Sequence, residues 1–139
     1  MAKEQTSGKV MLEVVTPERV VVSEPVSEVV LPGIEGEFGV LPGHIPFLTA
    51  LKVGEMTYKK GNKVEHLAVS WGYVEVTHDS VKVLAETAER AVDIDVGRAE
   101  IARQEAEKIL TAGKDDPEYE KARARLEKAV VRVQVAKRK

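Results

Sequence analysis

The chain has no cysteine among its 139 residues. That excludes a disulfide framework, a thiolate nucleophile and any zinc site built on sulfur, and it agrees with a reducing compartment. Aromatic residues are scarce, with one Trp, three Tyr and two Phe, which weakens any case for nucleic-acid binding. His44, His66 and His78 have no ligand-like spacing, and with no cysteine to complete a set they point to no metal. No apolar run approaches the roughly 18 residues needed to cross a bilayer. The opening "MAKEQTSGKV" also lacks the apolar centre of a secretory signal, so the expectation is a protein kept inside the cell.

What is present is a soluble, highly charged composition, 43% hydrophobic and 32% charged, which suits one small domain or a domain with an appendage. The formal net charge of −2 conceals an asymmetry. Residues 117–139 carry Lys121, Arg123, Arg125, Lys128, Arg132, Lys137, Arg138 and Lys139 against three Glu, which leaves the upstream part strongly acidic. On charge pattern alone the basic end is a solvated face, a nucleic-acid contact or a contact for an acidic protein.

Two periods divide the chain. From Val10 to about Glu86 it is rich in valine and broken by Gly, Pro, Asn and Asp at short intervals, the pattern of successive short strands. "WGYVEVTHDSVKVLAE" alternates Tyr73, Glu75 and Thr77 with Val74 and Val76, and "HDS" and "KKGNK" supply hairpin turns. Eight or nine such strands predict an antiparallel β sandwich or flattened barrel over residues 1–90, within a range of about eight to ten. After Asp95, Ala99, Ala102, Ala106 and Ile109/Leu110 recur at helical spacing, with Arg103 and Glu107 as an i,i+4 pair. "KDDPEYE" predicts a second helix with Asp116 as N-cap and Pro117 at the first helical position. Its apolar stripe is Ala122, Leu126, Ala129/Val130 and Val133. Residues 91–139 thus read as an antiparallel helical hairpin whose alanine-rich seam makes it marginal alone.

The stretch "EGEFGVLPGHIPFLTAL", Glu35 to Leu51, concentrates glycines, prolines and both phenylalanines. Its glycines lack the Lys or Ser/Thr of a phosphate loop, and Glu35 and Glu37 would repel an anion. Two residues apart on a strand, those carboxylates share a face, but no nucleophile, oxyanion donor or metal stands beside them. A contact surface is the better reading.

That stretch carries a family likeness. With "LEVVTPERVVVSEPVSEVVLPG" (12–33), "LAVSWGYVEV" (67–76) and "AERAVDIDVGRAE" (88–100), and through its G-E-x-G-x-x-P-G-H-x-P run, the chain resembles the epsilon subunit of bacterial and plastid F-type ATP synthase. The mitochondrial counterpart is called delta. Trp71 stands where a second glycine is more usual, at what reads as a hairpin position.

The resemblance implies a non-catalytic rotor subunit of the central stalk of a proton-translocating synthase, at the cytoplasmic face of the bacterial inner membrane. It meets the membrane only through the complex. The sandwich would bind the gamma subunit and the polar loops of the c-ring, with Glu37, Phe38 and His44 at that contact and no nucleic acid involved. The hairpin, folded against the sandwich or extended along gamma, would inhibit ATP hydrolysis when extended. Arg123, Arg125, Lys128 and Arg132 would then meet an acidic segment of the beta subunits in the alpha–beta head. Some members bind ATP through an I-D-x-x-R-A motif, matched here by Ile94, Asp95, Arg98 and Ala99, and through basic residues of the second helix, here Lys128 and Arg132. Lys128 replaces an arginine of strong binders and Glu105 another, so the expectation is weak ATP binding or none, with no required cofactor. An ATP-sensing module that holds the hairpin folded is the alternative function.

Overall fold

The computed structural model describes residues 8–139. Residues 1–7, on which the expectation of no secretory leader partly rests, lie outside the described residues. Eight strands occupy the first part of the chain: β1 (Val10–Val15), β2 (Val20–Val26), β3 (Glu28–Gly33), β4 (Gly36–Val40), β5 (Phe47–Leu51), β6 (Gly54–Lys60), β7 (Lys63–Val76) and β8 (Ser80–Arg90). Their order is β2-β1-β8-β7-β5-β3-β4, with β6 bridging β3 and β7. The sheet therefore curls back on itself as a β sandwich closed on one side. Alternate residues such as Val10, Leu12 and Val14 of β1 and Val81, Val83 and Ala85 of β8 point into one shared core. Each buried Val or Leu contributes about 1.5–3 kcal/mol, so this core carries the unit's stability.

The expectation of a purely antiparallel sheet needs one correction. β1 and β8 run parallel, with Leu12 opposite Val81 and Val14 opposite Val83. They are the first and last strands, joined by no hairpin, so no turn dictates that they run in opposite directions.

Trp71 also departs from its sequence reading. It lies inside β7, a single 14-residue strand, and not at a hairpin. β7 pairs β6 as far as Val69 opposite Gly54, then pairs β5 from Gly72 opposite Leu51. The strand bends between layers at this point. Trp71 takes φ 38° and Gly72 φ 147°, a left-handed excursion that costs a non-glycine residue about 1–2 kcal/mol. A Cβ on Gly72 would stand 1.8 Å from the Leu84 carbonyl oxygen, so β7 and β8 approach too closely there for any side chain.

Where β8 ends, Arg90 donates to the Tyr58 hydroxyl at 3.1 Å and to the Val21 carbonyl at 3.4 Å. Tyr58 in turn donates to Glu24 at 3.1 Å. The Lys60 hydrogen bond, opposed by partial burial and helped by Tyr58, holds the Glu24 carboxyl below its ordinary range. Burial raises the Tyr58 phenol, against the pull of Arg90. This network pins the strand from which the chain leaves for its helices.

Residues 91–139 form a second compact unit. A 3-10 turn (Ala91–Asp93) leads to α1 (Val96–Ala112) and α2 (Tyr119–Ala136). Asp95 caps α1 by accepting from the Arg98 N–H at 3.1 Å. α2 starts two residues later than expected: Asp116 accepts from the Glu118 N–H at 2.8 Å but closes a turn that precedes the helix, and Pro117 lies in that turn. Ala99, Ala106, Ala122 and Ala129 are buried in the helices, as are Val133, Val135 and Ala136 towards the end of α2 and Ile94 ahead of α1. Lys139 donates to the Ile94 carbonyl at 2.8 Å, which ties the two ends of this unit together. No helix among the described residues is long and apolar enough to cross a membrane.

The bend makes one substitution decisive. Gly72→Ala is expected to lower the stability of the full chain by roughly 3 kcal/mol or more in urea denaturation, since backbone must move. A loss under 1 kcal/mol would show that the β7–β8 approach is not fixed.

Candidate functional site

The stretch from Glu35 to Leu51 becomes β4, the loop 41–46 and β5, entered by a two-residue turn at Ile34 and Glu35. Glu35 is therefore in a turn, so it does not share a strand face with Glu37 as the spacing suggested. Glu37 is exposed on β4, while Phe38 is half-buried and packs against the core. Phe38 meets Phe47 of β5 edge to face, with centroids 5.2 Å apart. Gly33 makes room for this: a Cβ there would lie 2.8 Å from Phe38 Cε1. His44, half-buried, lies 5.2 Å from Phe47 by ring centroid, and its Nδ1 is 2.8 Å from the Ile45 carbonyl. The Gly43 N–H donates to the His78 carbonyl at 3.1 Å and ties the loop to the β7–β8 turn. Phe38 and His44 thus converge on Phe47, with Glu37 beside them on β4.

A groove of about 410 Å³ runs between β4 and β5, lined by Glu35, Glu37, Phe38, Phe47, Leu48 and Thr49, with Gly33 and Gly36. Its acidic rim and apolar floor suit a docking partner. Around it the chain exposes apolar side chains that the sequence reading missed. Ile45 is 77% exposed and Leu48 68%, and Ile34 and Leu41 are exposed too. Leu41 and Ile45 each stand next to a proline, Pro42 and Pro46, in the loop 41–46, where no strand alternation turns them inward; that was the available signal. A second apolar row crosses the outer sheet face, from Ala50 through Tyr73 and Leu84 to Val15 and Val20. Tyr73, Leu84 and Val20 are exposed. Apolar surface gathered in this way marks an interaction site.

Ile94 and Ala99 are buried, Asp95 spends a carboxylate oxygen on its cap, and Arg98 is exposed. Arg125, Lys128 and Arg132 line a different groove of about 340 Å³ between α1 and α2, with Glu105, Ala106 and Ile109. Arg123 lies elsewhere on α2, 3.5 Å from Glu120. Lys128 and Arg132 thus face this groove, and Ile94, Asp95, Arg98 and Ala99 are not among the residues that line it. Among the described residues no cluster of His, Cys, Asp or Glu could hold a metal.

Two family models cover the chain. The ATP synthase delta/epsilon chain beta-sandwich domain matches residues 9–91, and the long alpha-helix domain of the same chain matches residues 93–137. The chain belongs to the delta/epsilon family of ATP synthase subunits. It is 52% identical over 129 residues to the ATP synthase epsilon chain of Geobacter metallireducens, covering 92% of this chain and 94% of that one. It is also 52% identical over 130 residues to the epsilon chain of Syntrophobacter fumaroxidans, covering 94% and 97%. In fold it resembles a chain in the Euglena gracilis mitochondrial ATP synthase OSCP/F1/c-ring structure, at TM-score 0.80 and 23% identity, covering 93% of this chain and 81% of that one. A chain of the Tetrahymena thermophila mitochondrial central stalk and c-ring is more distant, at TM-score 0.53 and 12% identity, covering 62% and 69%. As an epsilon-type subunit it is a non-catalytic component of the central stalk, and its partners are other synthase subunits.

Gly33→Ala tests how this surface is built. The added methyl should push the Phe38 ring off Phe47, removing their mutual ring-current shifts in NMR spectra and about 0.5–1.5 kcal/mol of stability. Unchanged Phe38–Phe47 nuclear Overhauser contacts would contradict the role given to Gly33.

Proposed function

We propose that this epsilon-type subunit couples rotation of the c-ring to the catalytic head of a proton-translocating synthase and restrains wasteful ATP hydrolysis. In this reading the β4–β5 surface, with Glu37, Phe38 and His44, docks on the gamma subunit and the polar loops of the c-ring. The observation that carries it is the exposed apolar cluster of Ile34, Leu41, Ile45 and Leu48 around that groove, an arrangement that favours burial against another protein. The complex holds the subunit at the cytoplasmic face of the inner membrane.

The hairpin is the brake. Its seam is mostly alanine, so its closure rests on little buried area, and two arrangements of such an element can lie within a few kcal/mol of each other. Arg123, Arg125, Lys128 and Arg132 are solvent-accessible in whole or in part, and they supply the positive charge for an acidic segment of the beta subunits.

Control by ATP is the weaker reading. Burial of Ile94 and Ala99, the capping duty of Asp95 and the carboxylate of Glu105 beside Arg125, Lys128 and Arg132 all argue for weak binding or none.

The test is ATP hydrolysis by a purified head containing gamma, titrated with the full chain and with residues 1–90. Only the full chain should inhibit, and replacing Arg123, Arg125, Lys128 and Arg132 by Gln should relieve most of the inhibition. Equal effects of both chains would remove the brake from the account and leave a coupling subunit alone.

A further inference from the structure

β4, which lines the groove with β5, is also the last strand of the sheet. Its one neighbour is β3. Which of its main-chain groups are free follows from the register. Pro32 stands opposite Glu37 and has no N–H to give. The Pro32 carbonyl instead accepts from the Lys52 N–H at 3.0 Å, and the Ile34 N–H donates to the Ala50 carbonyl at 2.9 Å, both on the β5 side of β3. Residues 32 and 34 therefore turn their main chain toward β5, and residues 33, 31 and 29 turn theirs toward β4. By alternation the bonded pairs are Gly33 with Gly36, Leu31 with Phe38 and Val29 with Val40. Glu37 and Gly39 are left with N–H and carbonyl groups directed away from β3, and both residues are exposed.

β5 mirrors this. The Ala50 carbonyl points away from β7 toward Ile34, so two residues earlier the main chain of Leu48 also points away from β7. Pro42 and Pro46 flank β4 and β5 in the connecting loop, but neither strand contains the proline or lysine that usually blunts an open edge.

We infer that the free edge of β4, on the side away from β3, takes an extended segment of a partner protein, added as a further strand. The segment has a Lys or Arg beside Glu37 and Glu35, and an apolar or small residue over the Phe38–Phe47 pair. Main-chain hydrogen bonds to Glu37 and Gly39 supply affinity, and the acidic rim with its aromatic floor supplies selectivity. A second copy of this chain is the poorer occupant, because pairing β4 with β4 would bring four carboxylates, Glu35 and Glu37 from each copy, into one seam. The inference rests on the β4–β5 surface being the stalk-docking face, and it adds the mode of docking.

Hydrogen exchange with single-residue resolution, on the free full chain and on the same chain assembled with the gamma subunit and c-ring, is the experiment. The Glu37 and Gly39 amides should exchange at least about tenfold more slowly in the complex. Gly39→Pro removes the outward N–H and should weaken assembly about tenfold, while Gly39→Ala, which keeps it, should not. If the chain joins the complex with both amides still exchanging freely, or if Gly39→Pro assembles like the unmodified chain, the strand-addition mode is wrong and the docking face stands. Failure of the chain to join at all overturns both. Slowed exchange at these amides in the free chain at high concentration, with a doubled mass by sedimentation, assigns the edge to a second copy and overturns the proposal.

Discussion

The bend of β7 at Trp71 and Gly72 is the constraint on which the rest of the sandwich depends. A straight 14-residue strand would keep β5 and β6 in one layer, one after the other along its edge. The left-handed step lets one strand end a pairing with β6 at Val69 and begin another with β5 at Gly72. β5 then lies beside the β3–β4 hairpin, Phe47 reaches Phe38, and the groove between β4 and β5 exists. The strain at Trp71 is offset by the core on either side, where Val69, Val74 and Val76 are buried.

The two units are held together internally by different physics. The sandwich buries Leu, Val, Met and Tyr side chains from every strand in one cluster, and it exposes Ile34, Leu41, Ile45 and Leu48 around the β4–β5 groove and Val20, Tyr73 and Leu84 on its outer sheet face. The hairpin buries mainly alanine, with Ile94, Val133 and Val135 as its larger buried side chains. A stable platform with a greasy edge suits permanent attachment. A weakly closed hairpin with a basic second helix suits conditional attachment, since a modest charge interaction elsewhere can compete with a small buried area.

Much of this was readable in the residues, and what escaped did so for physical reasons. Valine alternation gave the strands, KKGNK (59–63) and HDS (78–80) gave the hairpin turns, and Arg103 forms its ion pair with Glu107 at 2.6 Å. The parallel pairing of β1 with β8 was not legible, because no local signal encodes contact between chain segments about seventy residues apart. Trp71-Gly72 read as a turn because a left-handed residue usually ends a strand, whereas here it redirects one. The start of α2 shifted because Asp116 and Pro117 satisfy the same backbone groups in a turn as they would at a helix cap. Glu37, Phe38 and His44 were named as contact residues only through the family resemblance, and Leu41, Ile45 and Leu48 were overlooked, since hydrophobic residues are assumed to be buried until a structure leaves them outside.

The claim that matters most is that this apolar edge carries the attachment. The direct measurement is the affinity of the full chain for the gamma subunit and c-ring, compared with an Ile45→Asp, Leu48→Asp double variant whose thermal unfolding is checked in parallel. Both side chains are mostly solvent-exposed, so unfolding should be unchanged while affinity falls roughly a hundredfold, the loss of two central apolar anchors. Binding within about twofold of the unmodified chain, with folding intact, would mean that the subunit attaches through another face.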